Sequence, residues 1–318
     1  MAIRKSKKEH PIHTIDLKFR GKSGAIAAYL ILHDEGAVLI ETGPSSTIPA
    51  LEAGLRSHGV DAGDITDVLV THIHLDHAGA AGWLARQGAR IYVHAKGAPH
   101  LLNPEKLLSS AARIYGEEMQ TLWGEFLPVP EDRIIVPVDG EIIEIGDLKF
   151  IPLDTPGHAS HHFAYIFQDV CFTGDIGGVR MAGTRYLRLP MPPPEIHLEL
   201  WRDSARRLQK EYKRGSFNRI APTHFGIFDD PDWHFFALEQ TLDEVEEWAL
   251  LVMPSDPAIE EIRSQFVDWE RERVRKSGVE NSQAESIEEV NASWMSAYGL
   301  QRYWLKVRNA SQDIQTSK

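Results

Sequence analysis

The segment Thr71-His72-Ile73-His74-Leu75-Asp76-His77-Ala78-Gly79 places three imidazoles and one carboxylate within six positions. Packing alone does not call for that density of polar side chains. Neutral imidazole is the commonest protein metal ligand, and carboxylate oxygen suits the same divalent ions. The run Asp67-Val68-Leu69-Val70 before it reads as a short buried strand, and Ala78-Gly79-Ala80-Ala81-Gly82-Trp83-Leu84 after it reads as the start of a helix. The ligands therefore fall in a strand-to-helix loop. His72 and His74 share a face, because alternate residues of an extended segment point the same way. Asp76 and His77 come around the turn to the other side of the same cavity. One run can thus serve parts of two metal sites.

Other segments supply partners. Asp154-Thr155-Pro156-Gly157-His158 follows a strand and turns sharply at Pro-Gly, which makes His158 a third imidazole for the first metal. Phe172-Thr173-Gly174-Asp175 puts Asp175 just past another strand. Ala221-Pro222-Thr223-His224-Phe225-Gly226 puts His224 at the end of a late one. Loops at strand ends are where rigid sheets present functional groups.

The elements that must position these residues follow a regular rhythm. Strands are expected over His13–Phe19, Ala25–His33, Ala37–Glu41, Asp67–Val70 and Arg90–His94, with a helix from Ile48 to His58 and another reaching Gln87. A second strand-rich half covers Ile134–Val136, Glu141–Ile145, Leu148–Leu153, Phe163–Phe167, Val170–Thr173 and Arg219–Pro222. The long amphipathic helix Glu195–Arg214 precedes its last strand. Two strand-rich halves flanked by helices give an α/β fold, a four-layer αββα sandwich. After Phe228 the composition changes, and Pro231–Met253, Ala258–Lys276 and Ser286–Val307 read as helices, with Asn281-Ser282 in a polar gap. The expected division is a catalytic domain over residues 1–230 and an α-helical C-terminal region over 231–318. Residues 98–126 have helical spacing and are expected to pack while partly covering the site.

The bulk numbers bound the function. The chain has 318 residues, 42% hydrophobic and 25% charged, an ordinary globular composition. Its formal charge of −12 disfavours nucleic acid as a partner. The single cysteine, Cys171, excludes an intramolecular disulfide and fits a reducing cytoplasm. The start, with Arg4, Lys5, Lys7 and Lys8, reads as a polar tail without the apolar stretch of a signal peptide, and no run is long enough to span a bilayer. Oligomeric state stays open, a homodimer included.

The HxHxDH run, the Thr155-Pro156-Gly157-His158 turn, Thr173-Gly174-Asp175, the late Thr223-His224-Phe225-Gly226 and an early Leu39-Ile40-Glu41-Thr42-Gly43 together resemble the metallo-β-lactamase-fold hydrolases. The resemblance covers residues 13 to 228. It departs at Glu41, where that family usually carries Asp. The resemblance implies that His72, His74 and His158 bind one metal, that Asp76, His77 and His224 bind a second, and that Asp175 bridges both, with Glu41 orienting ligands from behind. Two divalent ions, zinc by ligand type with iron or manganese compatible, would share a bridging hydroxide. Water bound to a metal has a pKa near 7, against about 16 in bulk, so such a site offers both nucleophile and Lewis acid at neutral pH. Asp76 is the candidate to orient that nucleophile or pass a proton to the leaving group.

Substrate contacts are expected from His161, beside the His158 turn, and from Arg180, Arg185 and Tyr186, in the loop after Asp175. His162 and His94 read as supporting residues, Cys171 as buried and inert, and Pro192–Pro194 as a stiff turn. Trp233, Trp248, Trp269, Trp294 and Trp304 read as packing anchors of the C-terminal helices. The leading expectation is a dinuclear hydrolase of an ester, thioester, lactone or phosphodiester bond in a small molecule. The helical C-terminal region resembles glyoxalase II-like members of the family. The alternative is an iron-dependent persulfide dioxygenase of the same fold.

Overall fold

The computed structural model describes residues 9–308. The basic residues Arg4 to Lys8 lie outside the described residues. The first sheet holds six strands in spatial order β1 (Ile12–Asp16), β2 (Ala27–His33), β3 (Gly36–Ile40), β4 (Ile65–Leu69), β5 (Arg90–Tyr92) and β6 (Ile134–Ile135). Strands β1 to β3 are antiparallel neighbours, and β3 to β6 run parallel. The second sheet is ordered β11 (Arg219–Ala221), β10 (Val170–Phe172), β9 (Phe163–Phe167), β8 (Leu148–Asp154) and β7 (Ile143–Ile145). It is antiparallel except for the β10–β11 pair.

Period-2 alternation decides which side chains meet. On β2, Tyr29 and Ile31 point between the sheets and meet Phe150, Tyr165, Phe167 and Phe172 of the second sheet. Their neighbours Ala28 and Leu30 point outward, onto helices α1 (Ile48–Ser57) and α3 (Ala81–Gln87) and the segment α4 (Ala98–Leu102), α5 (Glu105–Tyr115) and α6 (Met119–Trp123). A single helical turn, α2 (Leu75–Ala78), follows β4. The outer face of the second sheet, through Ala164, Ile166, Cys171 and Ile220, meets α7 (Leu198–Lys213) and α8 (Pro231–Val252). The result is four layers, helix–sheet–sheet–helix. Cys171 is fully buried in a strand, as expected, and burial pushes its thiol pKa up.

The C-terminal helices α8, α9 (Ile259–Ser277) and α11 (Ser293–Tyr303) share one apolar core with α7 and the second sheet, through Leu242, Phe266, Ala297 and Leu300. The expected single helix over Ser286–Val307 is broken. Asn281-Ser282, read as a gap, begins α10 (Asn281–Val290), and the chain bends at Asn291. Glu288 explains the bend: its carboxylate accepts from Ser293 N–H (2.9 Å) and Ser293 Oγ (2.6 Å), capturing the start of α11. The Asn291 carbonyl released there accepts from Arg188 Nη1 at 2.8 Å. Among the described residues no helix is long and apolar enough to cross a membrane.

Arg188 and Glu270 form a buried ion pair, Nε to Oε2 3.3 Å, at 2% and 1% exposure. Glu270 also accepts from Tyr186 (2.5 Å) and pairs with Arg273 at 3.2 Å. Removing one member of such a network leaves charge in a medium that solvates it badly. Arg188→Ala is expected to destabilise the protein by about 3 kcal/mol in urea unfolding at neutral pH, the low end for a broken buried pair because Arg273 still partners Glu270. A loss under about 1 kcal/mol would mean that the pair is solvated or dispensable.

Candidate metal centre

The ends of β3, β4, β8, β10 and β11 meet at one edge of the sandwich. Backbone hydrogen bonds tie them together: Glu41 N to Leu69 O (3.0 Å), Phe163 N to Thr71 O (2.7 Å), Thr173 N to Ala221 O (3.1 Å) and Ala27 N to Thr223 O (2.9 Å). Two glycines make the turns sharp enough. Gly157 has φ 142°, and a Cβ there would stand 2.3 Å from Trp201 Cα. Gly174 has φ 50°, and a Cβ there would stand 2.6 Å from Thr71 Oγ1. His158 and Asp175 follow these glycines directly.

Three ring nitrogens converge. His72 Nε2 lies 2.9 Å from His74 Nδ1 and 3.1 Å from His158 Nε2, and the latter two lie 3.0 Å apart. Beside them, His77 Nε2 is 3.2 Å from Asp175 Oδ1 and 3.7 Å from Asp76 Oδ2, while His224 Nε2 is 3.4 Å from Asp76 Oδ2 and 3.6 Å from Asp175 Oδ1. The other Asp175 oxygen, Oδ2, faces His158 Nε2 at 3.4 Å. All seven of the expected residues are thus in one cluster.

The groups behind the rings fix which nitrogen faces forward. His158 Nδ1 donates to Pro190 O (2.8 Å) and His224 Nδ1 to Ala25 O (2.8 Å). His77 Nδ1 donates to Glu41 Oε1 at 3.0 Å. Thr71 Oγ1 gives its proton to Glu41 Oε1 (2.5 Å), so it accepts from His72 Nδ1 at 3.1 Å. Four Nε2 atoms therefore point into the cluster. Glu41, at 1% exposure, also accepts from Thr223 Oγ1 at 3.0 Å. Its longer side chain reaches the rear of His77, and it holds φ 64°, a costly backbone for a non-glycine residue.

The electrostatics of the two halves differ, and both favour added positive charge. Burial, and then the imidazoles of His77, His74 and His158, push the His72 pKa well below its ordinary value. Burial opposes a charge on His77 too, but Asp175, Glu41 and Asp76 outweigh it and raise its pKa well above that value. His77 Nε2 and Asp175 Oδ1 are buried without a hydrogen-bond partner. A divalent ion holding imidazoles at about 2.0–2.1 Å keeps tetrahedral donor atoms about 3.3 Å apart, close to the spacings here. Three triads, His72–His74–His158, His72–His77–Asp175 and Asp76–His77–His224, have donor atoms within 4.8 Å of one another. The donor set fits divalent metal.

The cluster borders a cavity. His74, Asp76, Asp175 and His224 form the floor of a cavity of about 290 Å³ that is also lined by His161. Its walls come from residues 98–126, from Pro190 and Pro192–Pro194, and from Val290, Asn291 and Met295. The triple proline is therefore cavity wall as well as a stiff turn. His162 sits behind His72, with Nδ1 2.9 Å from Thr155 Oγ1, and His94 pairs with Asp154 at 3.4 Å.

The expectation for Arg180, Arg185 and Tyr186 is not met, since none of them lines this cavity. Arg180 is buried, and a buried guanidinium requires a carboxylate. It donates to Asp230 at 2.6 and 2.8 Å, and its guanidinium lies 4.0 Å over Phe228 and 4.3 Å over Trp233. Arg185 is exposed, 5.7 Å from the Trp233 ring, and Tyr186 donates to Glu270. The loop folds back on the C-terminal helices. One supporting residue escaped sequence reasoning. Trp201, fully buried, donates to Ile176 O at 2.9 Å and stands edge-on to His158, 5.6 Å between ring centroids. The signal for it was the apolar spacing Leu198, Trp201, Ala205, Leu208 along α7.

Comparison with known proteins agrees with this geometry. The metallo-beta-lactamase fold-containing protein ST1585 of Sulfurisphaera tokodaii is 26% identical over 183 residues, covering 56% of this chain and 66% of that one. A hydroxyacylglutathione hydrolase of Methylobacterium sp. is 29% identical over 219 residues, covering 65% of this chain and 72% of that one. The crystal structure of an archaeal metallo-beta-lactamase superfamily protein, ST1585 from Sulfolobus tokodaii, superposes with a TM-score of 0.62 at 20% identity, covering 92% of this chain and 99% of that chain. Residues 22–217 match the sequence model of the metallo-beta-lactamase superfamily, and with the sandwich and its strand-end histidines in place the chain belongs to that superfamily.

Proposed function

We propose that this protein is a hydrolase of small-molecule esters or thioesters that works with two divalent metal ions, zinc being the best match to a donor set rich in imidazole. The observation that carries the dinuclear reading is the division of Asp175, whose Oδ2 faces His158 while its Oδ1 faces His77 and His224. The thioester reading draws support from the hydroxyacylglutathione hydrolases among the similar proteins. His72, His74 and His158 would hold one ion, Asp76, His77 and His224 the other, and Asp175 both.

Bound there, the ions would supply a water of lowered pKa and a Lewis acid for the substrate carbonyl. The chain's own residues do the rest. The rear hydrogen bonds from Pro190, Ala25, Glu41 and Thr71 keep the imidazoles in one tautomer and orientation. Burial would raise the Asp76 pKa, but His77 and His224 hold it at about 2, so Asp76 is a carboxylate at neutral pH. It stands at the cavity floor, where it can take a proton from the attacking water and return it to the leaving group. His161 lines the same cavity, and burial holds its pKa at about 4. It is a neutral imidazole available to bind a substrate oxygen.

Elemental analysis of the protein loaded with zinc is expected to give about two ions per chain, and chelation to abolish turnover on an ester and thioester panel without oxygen uptake. Oxygen consumption with a persulfide would instead select the dioxygenase chemistry. Asp175→Asn is expected to lower both metal content and kcat/KM, the latter by at least about 100-fold, on the order expected when a metal centre loses its shared carboxylate. A variant that keeps two ions and full activity would remove the bridging role. Glu41→Gln keeps the shape of the side chain and removes the charge behind His77. It is expected to weaken metal affinity by about 10- to 100-fold in competition with a chelating dye, and unchanged affinity would reduce Glu41 to a packing residue.

A further inference from the structure

We infer that the acyl part of the substrate is an apolar chain or ring, held between α5 and the α10–α11 bend, and that the substrate is not a conjugate bearing several charges. The inference rests on the hydrolase reading above and narrows its substrate class.

The cavity leads straight off the floor formed by His74, Asp76, Asp175 and His224. One wall is a stripe of α5, in which Leu107, Ala111 and Ile114 recur at helical spacing, continued by Trp123 of α6. Val290 and Met295 add further apolar lining, from the two helices on either side of the Asn291 bend. The two walls come from chain segments about 180 residues apart, and Tyr115 joins them by donating to Met295 Sδ at 3.4 Å. A methionine and several aliphatic side chains make a surface that adapts to a flexible hydrocarbon.

Away from the carboxylates of the floor the charges are few, and they are exposed. Lys106 is the only Lys or Arg lining the cavity among the described residues, and it is exposed. Glu195, also exposed, lines the same cavity with the opposite charge, and its carboxylate already accepts from Ser160 Oγ at 2.7 Å. A glutathione thioester carries two carboxylates and an ammonium, and each carboxylate taken into a cavity calls for a cationic or multiple N–H partner. One exposed lysine, with a glutamate lining the same cavity, does not supply that. A hydrocarbon acyl group needs no partner beyond the walls.

The test uses the full-length, zinc-loaded protein with two homologous series, p-nitrophenyl esters and N-acetylcysteamine thioesters, each with acyl chains of two to ten carbons, beside lactoylglutathione. Burial of each methylene is expected to raise kcat/KM by about fourfold until the chain outgrows the cavity. At least one longer-chain substrate should exceed lactoylglutathione by about tenfold or more on the same reasoning. Ile114→Ser should flatten the chain-length slope. The wild-type series stands without that variant, and calorimetry on metal-free protein adds a readout free of catalysis. There the neutral ketone 2-nonanone should bind about tenfold or more tightly than 2-butanone. A flat or falling chain-length series, or preference for lactoylglutathione, overturns the inference while leaving the hydrolase intact. Absence of turnover on every ester and thioester overturns the hydrolase reading, and this inference with it.

Discussion

Three imidazole nitrogens pointing at one another across about 3 Å are the constraint on which the rest of this structure depends. With their Nδ1 protons committed behind them, His72 and His158 present lone pairs, and lone pairs at that spacing repel. In water such rings would turn away and be solvated separately. Here they cannot turn, because every rotation costs a buried hydrogen bond to Pro190, to Thr71 or, at the neighbouring rings, to Ala25 and Glu41. Positive charge between the rings would satisfy those lone pairs, and the carboxylates of Asp76 and Asp175 would draw the same charge from the other side. The arrangement is preorganised: its cost is borne by folding, so binding a cation need not bear it again.

That cost requires rigid supports, and the sandwich provides them from both sheets at once. Glu41 and Thr71 come from the first sheet, Thr155, Asp175 and Thr223 from the ends of the second, and Glu41 gathers Thr71, His77 and Thr223 onto a single buried carboxylate. The supports extend outward. Trp201 of α7 packs against Gly157 and His158 and bonds Ile176, one residue past Asp175. Arg188 anchors the strand of chain that carries Pro190, and through Asn291 it fixes the bend that presents Val290 and Met295 to the cavity. The C-terminal helices are thereby coupled to the centre by one buried guanidinium as well as by their shared apolar core.

The legibility of these features in the sequence follows how local their causes are. Ligand identity is legible because imidazole and carboxylate chemistry is concentrated in short runs at strand ends, and the strands themselves are legible because period-2 alternation is imposed by the two packed faces. Boundaries of the αββα layers agree to within a few residues for the same reason. The loop from Arg180 to Tyr186 was not legible. Its polar residues look free to face a pocket, yet Arg180 is taken by Asp230 and Tyr186 by Glu270, partners 50 and 84 residues away. The split between α10 and α11 was hidden likewise, since helix propensity runs through it and it is the Glu288 carboxylate and Arg188, paired with each other at 2.8 Å, that end one helix and start the next.

The same distinction between local and distant causes separates what the superfamily determines from what this chain determines. Centres built from strand-end motifs depend first on the sheets, because Glu41, Thr71, Asp175 and Thr223 all lie within three residues of a strand end. Cavity walls have no such protection. Leu107 to Trp123 belong to a helical segment between β5 and β6, and Val290 to Met295 to the last helices of the described chain, and neither lies on a sheet. Walls assembled from two peripheral segments can change size and polarity while the rear hydrogen bonds from Thr71, Glu41 and Ala25 stay in place, and only the Pro190 bond to His158 comes from a residue that also lines the cavity. Kinship with hydroxyacylglutathione hydrolases therefore informs the chemistry of bond cleavage more strongly than the group attached to the bond. Under the proposed reading, selectivity rests on the cavity between α5 and the Asn291 bend, whose lining away from the floor holds one exposed lysine and one exposed glutamate.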